Sequence, residues 1–126
     1  MTPEEYVREA MSTNLDTYDM VGFRLQEPDT LKVLHAIMGI VTESGELMDA
    51  MKKFLIYGKP LDDVNLMEEA GDLFWYVALL AHAVGFTFED SFEKNIAKLK
   101  ARYPNRFTEH DALNRDLNKE REILER

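Results

Sequence analysis

The sequence predicts an all-α protein, in the form of a four- to five-helix bundle with antiparallel central helices. Apolar residues recur at helical intervals of three, four and seven along most of the chain. Helix-start and helix-stop residues flank these stretches, and no segment alternates polar and apolar residues for long enough to form a strand. A chain of 126 residues has the length of one domain and is long enough to bury an apolar core.

The first predicted helix lies near the N-terminus. Thr2, Pro3 and Glu5 combine a capping box with proline at the first helical position, which predicts a helix running towards Asn14. Residues 22–28, which include Gly22 and Pro28, are expected to form a connector.

The second predicted helix is long. Asp29 or Thr30 can cap its N-terminus, and Gly58 followed by Pro60 predicts its end. Its apolar residues follow helical spacing throughout: Leu31, Leu34, Met38, Val41, Met48, Met51 and Leu55.

Three further helices are predicted after this one. The third helix should start at Asp62 or Asp63 and run to about Val84, with Gly85 as its stop. Thr87 caps the fourth helix, which ends before proline at position 104. Its apolar stripe is Phe88, Phe92, Ile96, Leu99 and Tyr103. A last, highly charged helix is expected from about position 108 to the C-terminus.

Composition limits the class of protein. The formal net charge of −9 argues against a nucleic-acid-binding surface, which needs basic residues to contact phosphates. The sequence contains no cysteine, so disulfides and thiolate metal sites are excluded and a cytoplasmic location is expected. The apolar stretch at 73–86 is too short to cross a bilayer, so no membrane partner is expected. An acidic protein that binds polyphosphate must recruit cations.

Two pairs of carboxylates lie within the apolar central helices. Glu43 and Glu46 are one turn apart on the second helix, and Glu69 and Asp72 repeat that spacing on the third. Small or apolar residues flank both pairs: Ala36, Gly39 and Ala50 on one helix, and Leu66, Leu73 and Tyr76 on the other. Because a short loop joins the two helices, they should return antiparallel and bring the four acids together.

Four facing carboxylates would repel one another unless a cation lay between them. Mg²⁺ prefers such oxygen ligands and keeps water molecules that a phosphate can replace. A single pair of this kind is common on an exposed helix face, but two pairs on consecutive helices favour a metal site. A di-iron site is excluded, because none of the three histidines lies three positions after a glutamate. Asp49 is a possible additional ligand.

Polar residues on the fourth helix are candidates for binding a phosphorylated ligand. Asn95, Lys98 and Arg102 lie at i, i+3 and i+7, and the two cations could reach phosphates. A stripe of this kind is more often a solvated helix edge. On the third helix, Trp75 and Tyr76 could stack on a base, although aromatic residues in an apolar helix more often belong to a core or an interface.

These motifs together resemble the MazG-like all-α nucleoside triphosphate pyrophosphohydrolases. The resemblance rests on Glu-x-x-Glu at 43–46, Glu-x-x-Asp at 69–72, and the fourth-helix segment from Asn95 through 98–104. It covers about residues 30–107, so the chain is divided into an N-terminal helix and connector at 1–29, a core at 30–107 and a charged tail at 108–126, all in one domain.

The resemblance implies a fold completed by self-association as a dimer or tetramer, and hydrolysis of (deoxy)nucleoside triphosphates to monophosphate and pyrophosphate. It implies Mg²⁺, with Mn²⁺ as a substitute, held by the four acids Glu43, Glu46, Glu69 and Asp72. It further implies a nucleotide site formed by Asn95, Lys98 and Arg102, to which Tyr76 is added as a candidate. Glu46 or Glu68 is the candidate base that orients the attacking water.

Two alternatives stay open. The chain could be a helical module that binds nucleotides or a protein partner without catalysis and uses the same acids structurally. Within the enzyme class, it could be a narrow dUTP or dCTP hydrolase instead of an enzyme that clears many unwanted nucleotides. The shape of the pocket decides specificity, and no motif in this sequence indicates it.

Overall fold

The computed structural model describes residues 1–126 and contains seven helices and no strands, which confirms the all-α prediction. Helices account for 76% of the chain. In chain order they are α1 (Pro3–Ser12), α2 (Asp19–Leu25), α3 (Pro28–Leu55), α4 (Asp63–Val84), α5 (Phe88–Arg102), α6 (Glu109–Leu113) and α7 (Leu117–Glu125).

The long helices α3 and α4 form the centre of the fold. They pack side by side in antiparallel directions, because Gly39 contacts Tyr76 while Glu43, one turn further along α3, approaches Asp72, one turn earlier on α4. The contact at Gly39 is so close that a Cβ atom there would overlap the Tyr76 ring. The absence of a side chain at this position therefore sets how closely the two helices approach.

The ends of α4 follow the predicted signals. The Asp62 side chain accepts hydrogen bonds from the backbone N–H groups of Val64 and Asn65, both at 3.1 Å, and so caps the helix. Gly85 ends α4 in the left-handed conformation with φ of 86°, which glycine adopts without strain. Thr87 then caps α5 by accepting from the Asp90 N–H.

The structure corrects the predicted start of the central helix. Part of the expected connector is the helix α2, in which the Gly22 N–H donates to the Tyr18 carbonyl at 2.9 Å. α3 begins at Pro28 with Glu27 at the N-cap, so neither Asp29 nor Thr30 caps it. Proline suits the first helical position because its missing N–H would have no partner there.

The predicted C-terminal helix is also wrong in its extent, because it is divided into α6 and α7. The Asn114 amide donates to the His110 carbonyl and closes the end of α6. Asp116 then starts α7 by accepting a hydrogen bond from the Lys119 N–H at 3.0 Å. Competition by these short polar side chains for backbone groups favours a helix break at this point.

The single chain buries little of its apolar surface. Only four of its 126 residues are buried, and the two buried hydrophobic ones are alanines, Ala36 and Ala81. α5 leaves α4 at an angle of 96° and packs mainly against α7. Large side chains on α4 and α5, including Phe74, Trp75 and Phe92, therefore stay more than half exposed.

No single helix combines the length and the hydropathy that crossing a membrane requires. α4 and α5 have that length and hydropathy only when the two bent helices are counted together.

Candidate active site

Three of the predicted metal ligands converge between α3 and α4. Oxygen atoms of Glu43, Glu69 and Asp72 all lie within 4.8 Å of one another. Glu43 and Glu69 are half-buried at the helix interface, whereas Asp72 is exposed. The antiparallel pairing of the two helices produces this arrangement, since it places the Glu43 turn of α3 opposite the Glu69–Asp72 turn of α4.

The electrostatic state of this cluster favours a cation. Burial raises the pKa of Glu43, and the negative charges of Asp72 and Glu69 raise it further. Oxygens within 4.8 Å of one another can share one divalent ion after small side-chain adjustments, because Mg²⁺ binds oxygen at about 2.0–2.1 Å. The three carboxylates therefore fit a hard divalent cation.

Glu46 and Glu68 do not belong to this group of three. Glu46 is exposed on α3, but it is close enough that its negative charge also raises the pKa of Glu43. Glu68 is exposed on α4 and lines an open cavity with Lys53 and Lys59. Glu46 thus lies near the three carboxylates and Glu68 lines a separate cavity, and their roles as fourth ligand and as base stay predictions.

Asn65 is a residue of the site that the sequence analysis missed. Its Nδ2 donates to Oε1 of Glu69 at 2.8 Å, across one turn of α4. This hydrogen bond orients the Glu69 carboxylate and leaves its other oxygen available to a ligand. The signal in the sequence is an asparagine four positions before a glutamate, a spacing that places the two side chains on the same helix face.

An open cavity of about 370 Å³ lies beside the carboxylates and is lined by Glu43, Asp72, Trp75 and Tyr76. The Tyr76 ring packs edge-on against His35, with ring centroids 5.7 Å apart, and against Trp75 at 5.0 Å. We refer to this space as the aromatic cavity. The structure thus places Tyr76 next to the predicted metal ligands, as a substrate-binding role requires.

The structure does not bring the predicted α5 residues to the carboxylates within one chain. Asn95 lines a separate cavity with Leu124 of α7, and Arg102 forms an ion pair with Glu120, which is also on α7. Lys98 is half-buried and forms no ion pair. The reason is the 96° bend between α4 and α5, which directs α5 towards the C-terminal tail.

The tail contributes a buried ion pair that the sequence analysis did not predict. Glu120 is 5% exposed and accepts hydrogen bonds from both Arg102 and Arg115. These bonds, and the charges of the two arginines, lower the pKa of Glu120 to about 2. No sequence signal links positions 102 and 120, because ion pairs between distant helices depend on how the helices pack.

An antiparallel helix pair with three converging carboxylates defines an all-α protein with a candidate site for a divalent cation. Residues 32–107 match the MazG nucleotide pyrophosphohydrolase domain, and this chain belongs to that family. All four predicted metal ligands, together with the three predicted α5 residues, lie inside the matched region.

The chain is also similar to the Gene 37 protein of Mycobacterium phage L5, with 35% identity over 74 residues. That similarity covers 54% of this chain and 63% of the phage protein, so the chain spans less than two thirds of this relative's length. No solved structure shows a significant match.

Proposed function

We propose that the chain hydrolyses (deoxy)nucleoside triphosphates to nucleoside monophosphate and pyrophosphate with the help of Mg²⁺, for which Mn²⁺ can substitute. The observation that carries this proposal is the convergence of Glu43, Glu69 and Asp72 across the α3–α4 interface. Membership of the MazG nucleotide pyrophosphohydrolase domain family supports the class of substrate and the type of reaction.

A cation held by Glu43, Glu69 and Asp72 would neutralise the triphosphate and polarise its phosphoryl oxygens. The chain itself positions these ligands, since the Asn65 amide fixes the orientation of Glu69. In the proposed reaction, water attacks the α-phosphorus, the bond from that phosphorus to the α–β bridging oxygen breaks, and pyrophosphate leaves. Glu46 or Glu68, both exposed beside the site, accepts the proton from the water.

Self-association is part of the proposal. A chain that leaves Phe74, Trp75 and Phe92 exposed has a larger apolar surface than a stable monomer normally retains. A second copy packed on α4 and α5 would bury that surface. It would also supply another α5, whose Asn95, Lys98 and Arg102 are the predicted nucleotide ligands. Light scattering at micromolar concentration should give a dimer or a tetramer, and a monomer alone would refute this part of the proposal.

Product chromatography across the set of (d)NTPs, with Mg²⁺ present, tests the reaction directly. Monophosphate and pyrophosphate should appear in equal amounts, and Asp72→Asn should abolish their formation. Glu89→Gln is the matched control, because Glu89 is an exposed carboxylate in the first turn of α5 and lies outside the site. Turnover by the Asp72 variant at the wild-type rate would exclude the assigned site.

The same screen separates the alternatives. A helical module that binds nucleotides without catalysis would show nucleotide affinity and no product with any triphosphate. A narrow dUTP or dCTP hydrolase would act on one pyrimidine nucleotide, whereas an enzyme that clears many nucleotides would act on several. The aromatic cavity is the place where such a preference would be set, because its rings are next to the carboxylates.

A further inference from the structure

Two cavities lie on opposite sides of the carboxylates along the groove between α3 and α4. Tyr76 of the aromatic cavity is one turn after Asp72, whereas Asn65 of the second cavity is one turn before Glu69. This second space, the lysine cavity, has a volume of about 530 Å³ and includes Lys53, Lys59, Asn65 and Glu68 in its lining. A linear ligand bound at the carboxylates would therefore have the aromatic cavity at one end and the lysine cavity at the other.

Of the two cations in the lysine cavity, one has no acidic partner and the other is paired. Lys59 forms no ion pair with any acid of the chain. Lys53 pairs with Asp49 at 2.7 Å on α3. This hydrogen bond raises the pKa of Lys53, and the negative charges of Glu46 and Glu69 raise it further. The lining of the cavity contains two ammonium groups and two carboxylates, Asp62 and Glu68, so its charge is balanced in a protein with a net charge of −9.

The two ends of a nucleoside triphosphate differ in what they need. The β- and γ-phosphates carry most of the negative charge and bind best to ammonium and amide donors. The nucleoside end offers a flat base and a sugar, for which aromatic rings are the favourable neighbours.

We propose that the lysine cavity, with Lys53 and Lys59 as its phosphate ligands, receives the pyrophosphate end of the substrate. The α-phosphate then lies at Glu43, Glu69 and Asp72, and the nucleoside extends towards the aromatic cavity. This assignment rests on the proposed function and deepens it, because it gives the direction in which the substrate lies and the side from which pyrophosphate leaves.

The acids of the cavity are compatible with this assignment. Asp62 is occupied as the N-cap of α4, where it accepts two backbone hydrogen bonds. Glu68 is exposed at the cavity, on the side of the leaving group. Because the attacking water must enter opposite the leaving pyrophosphate, this assignment leaves Glu46 as the candidate proton acceptor. The Asn65 amide both lines the cavity and holds Glu69, so it connects the phosphate end of the groove to the carboxylates.

If Lys53 only stabilised the helix, replacing it would have the same effect as replacing its neighbour Lys52. Lys52 and Lys53 both lie in the last turn of α3, where positive charge stabilises the helix C-terminus. Lys52, however, lies over the Tyr57 ring at 5.6 Å and does not line the lysine cavity. Lys52→Met is therefore a control that matches Lys53→Met in charge, helix turn and side-chain length.

Titration calorimetry with magnesium pyrophosphate tests the assignment without requiring turnover. Lys59→Met and Lys53→Met should each raise the dissociation constant about tenfold, through loss of a charge-assisted phosphate contact, and Lys53→Arg should restore most of the affinity. Lys52→Met should change it less than about twofold. Titration with Mg²⁺ alone should show no weaker binding than wild type in any of the four variants, and Lys53→Met should bind Mg²⁺ somewhat more tightly, because it removes a positive charge close to Glu46 and Glu69. Circular dichroism checks that each variant is folded.

Unchanged pyrophosphate affinity in both Lys53→Met and Lys59→Met would overturn the assignment, as would an equal loss in Lys52→Met. The proposed function fails by a different result, namely the absence of product from every triphosphate with the wild-type protein. Wild-type turnover combined with lysine variants that bind pyrophosphate normally would refute the lysine cavity alone.

Discussion

Arg102 donates two parallel hydrogen bonds to Glu120, from Nε to Oε1 and from Nη2 to Oε2, both at 2.7 Å. Arg115 donates to the same carboxylate from the other side, with its Nη2 at 2.6 Å from Oε2. Arg102 is on α5 and Glu120 is on α7, so the C-terminal tail is attached to the helix that carries the predicted nucleotide ligands. Glu120 accepts from two of the five N–H donors of Arg102.

The first prediction concerns this attachment. Glu120→Ala should release α7 from α5, because it leaves two arginines without their shared partner and removes the cross-helix hydrogen bonds. Hydrogen exchange followed by mass spectrometry should show faster exchange across residues 117–125, and the melting temperature should fall. Glu122→Ala is the control, since Glu122 is an exposed residue of the same helix. Equal exchange in both variants would contradict an anchoring role for Glu120.

The second prediction is the pH dependence of the same ion pair. The pKa of Glu120 is lowered from 4.5 to about 2, mainly by its hydrogen bonds to Arg102 and Arg115. A lowered folded-state pKa stabilises the protein above about pH 4.5 and loses that contribution as the pH falls towards 2. The free energy of unfolding, measured with denaturant, should therefore fall more steeply between pH 4.5 and pH 2 for the wild-type protein than for Glu120→Gln. Parallel curves for the two proteins would show that Glu120 does not titrate with folding.

The third prediction tests the close approach of α3 and α4. Gly39→Ala should destabilise the fold by about 1–3 kcal/mol, because the added Cβ overlaps the Tyr76 ring and forces a shift. Gly45→Ala on the same helix meets no atom within 4 Å and should instead stabilise by about 0.8–1 kcal/mol, the helix preference of alanine over glycine. Chemical denaturation measures both changes. A loss of stability in the two variants alike would argue against the specific contact.

The fourth prediction concerns the metal ligands. Mg²⁺ should raise the melting temperature, since at about 100 times the dissociation constant it stabilises the folded state by about 2.7 kcal/mol. Mn²⁺ should act similarly, whereas NaCl of equal ionic strength should have a much smaller effect. Asp72→Asn should remove the Mg²⁺ response and raise the melting temperature without metal, because it relieves repulsion from Glu43 and Glu69. Thermal scans with and without metal measure both effects. If the acids were only a surface cluster, Asp72→Asn would change neither the Mg²⁺ response nor the melting temperature without metal.

Local signals in the sequence were sufficient to predict the central helices. The caps at Asp62 and Thr87 and the stop at Gly85 depend on a few neighbouring residues, and the structure has each of them. The helical spacing of Glu43 and Glu46 on α3, and of Glu69 and Asp72 on α4, predicted that these four acids would meet. The structure brings Glu43, Glu69 and Asp72 together and leaves Glu46 outside that group.

Features that depend on packing between distant segments could not be predicted in this way. The direction of α5 is set by its contact with α7 and by the bend after α4, neither of which has a local sequence pattern. For that reason the sequence predicts Arg102 as a nucleotide ligand but contains no indication of its partner Glu120. The helix α2 was missed because Gly22 suggests a loop, although a glycine costs a short helix only about 1 kcal/mol.

The pairing of Glu43 with Asp72 also determines where this chain tolerates a change in length. The loop at residues 56–62 joins two helices whose relative position is fixed by their own contact, so residues added there would lengthen the connection without displacing the acids. One residue inserted between Glu69 and Asp72 would instead rotate everything after it by about 100° around the helix axis, and Asp72 would turn away from Glu43. Gene variants with insertions should therefore retain the stabilisation by Mg²⁺ at the first position and lose it at the second.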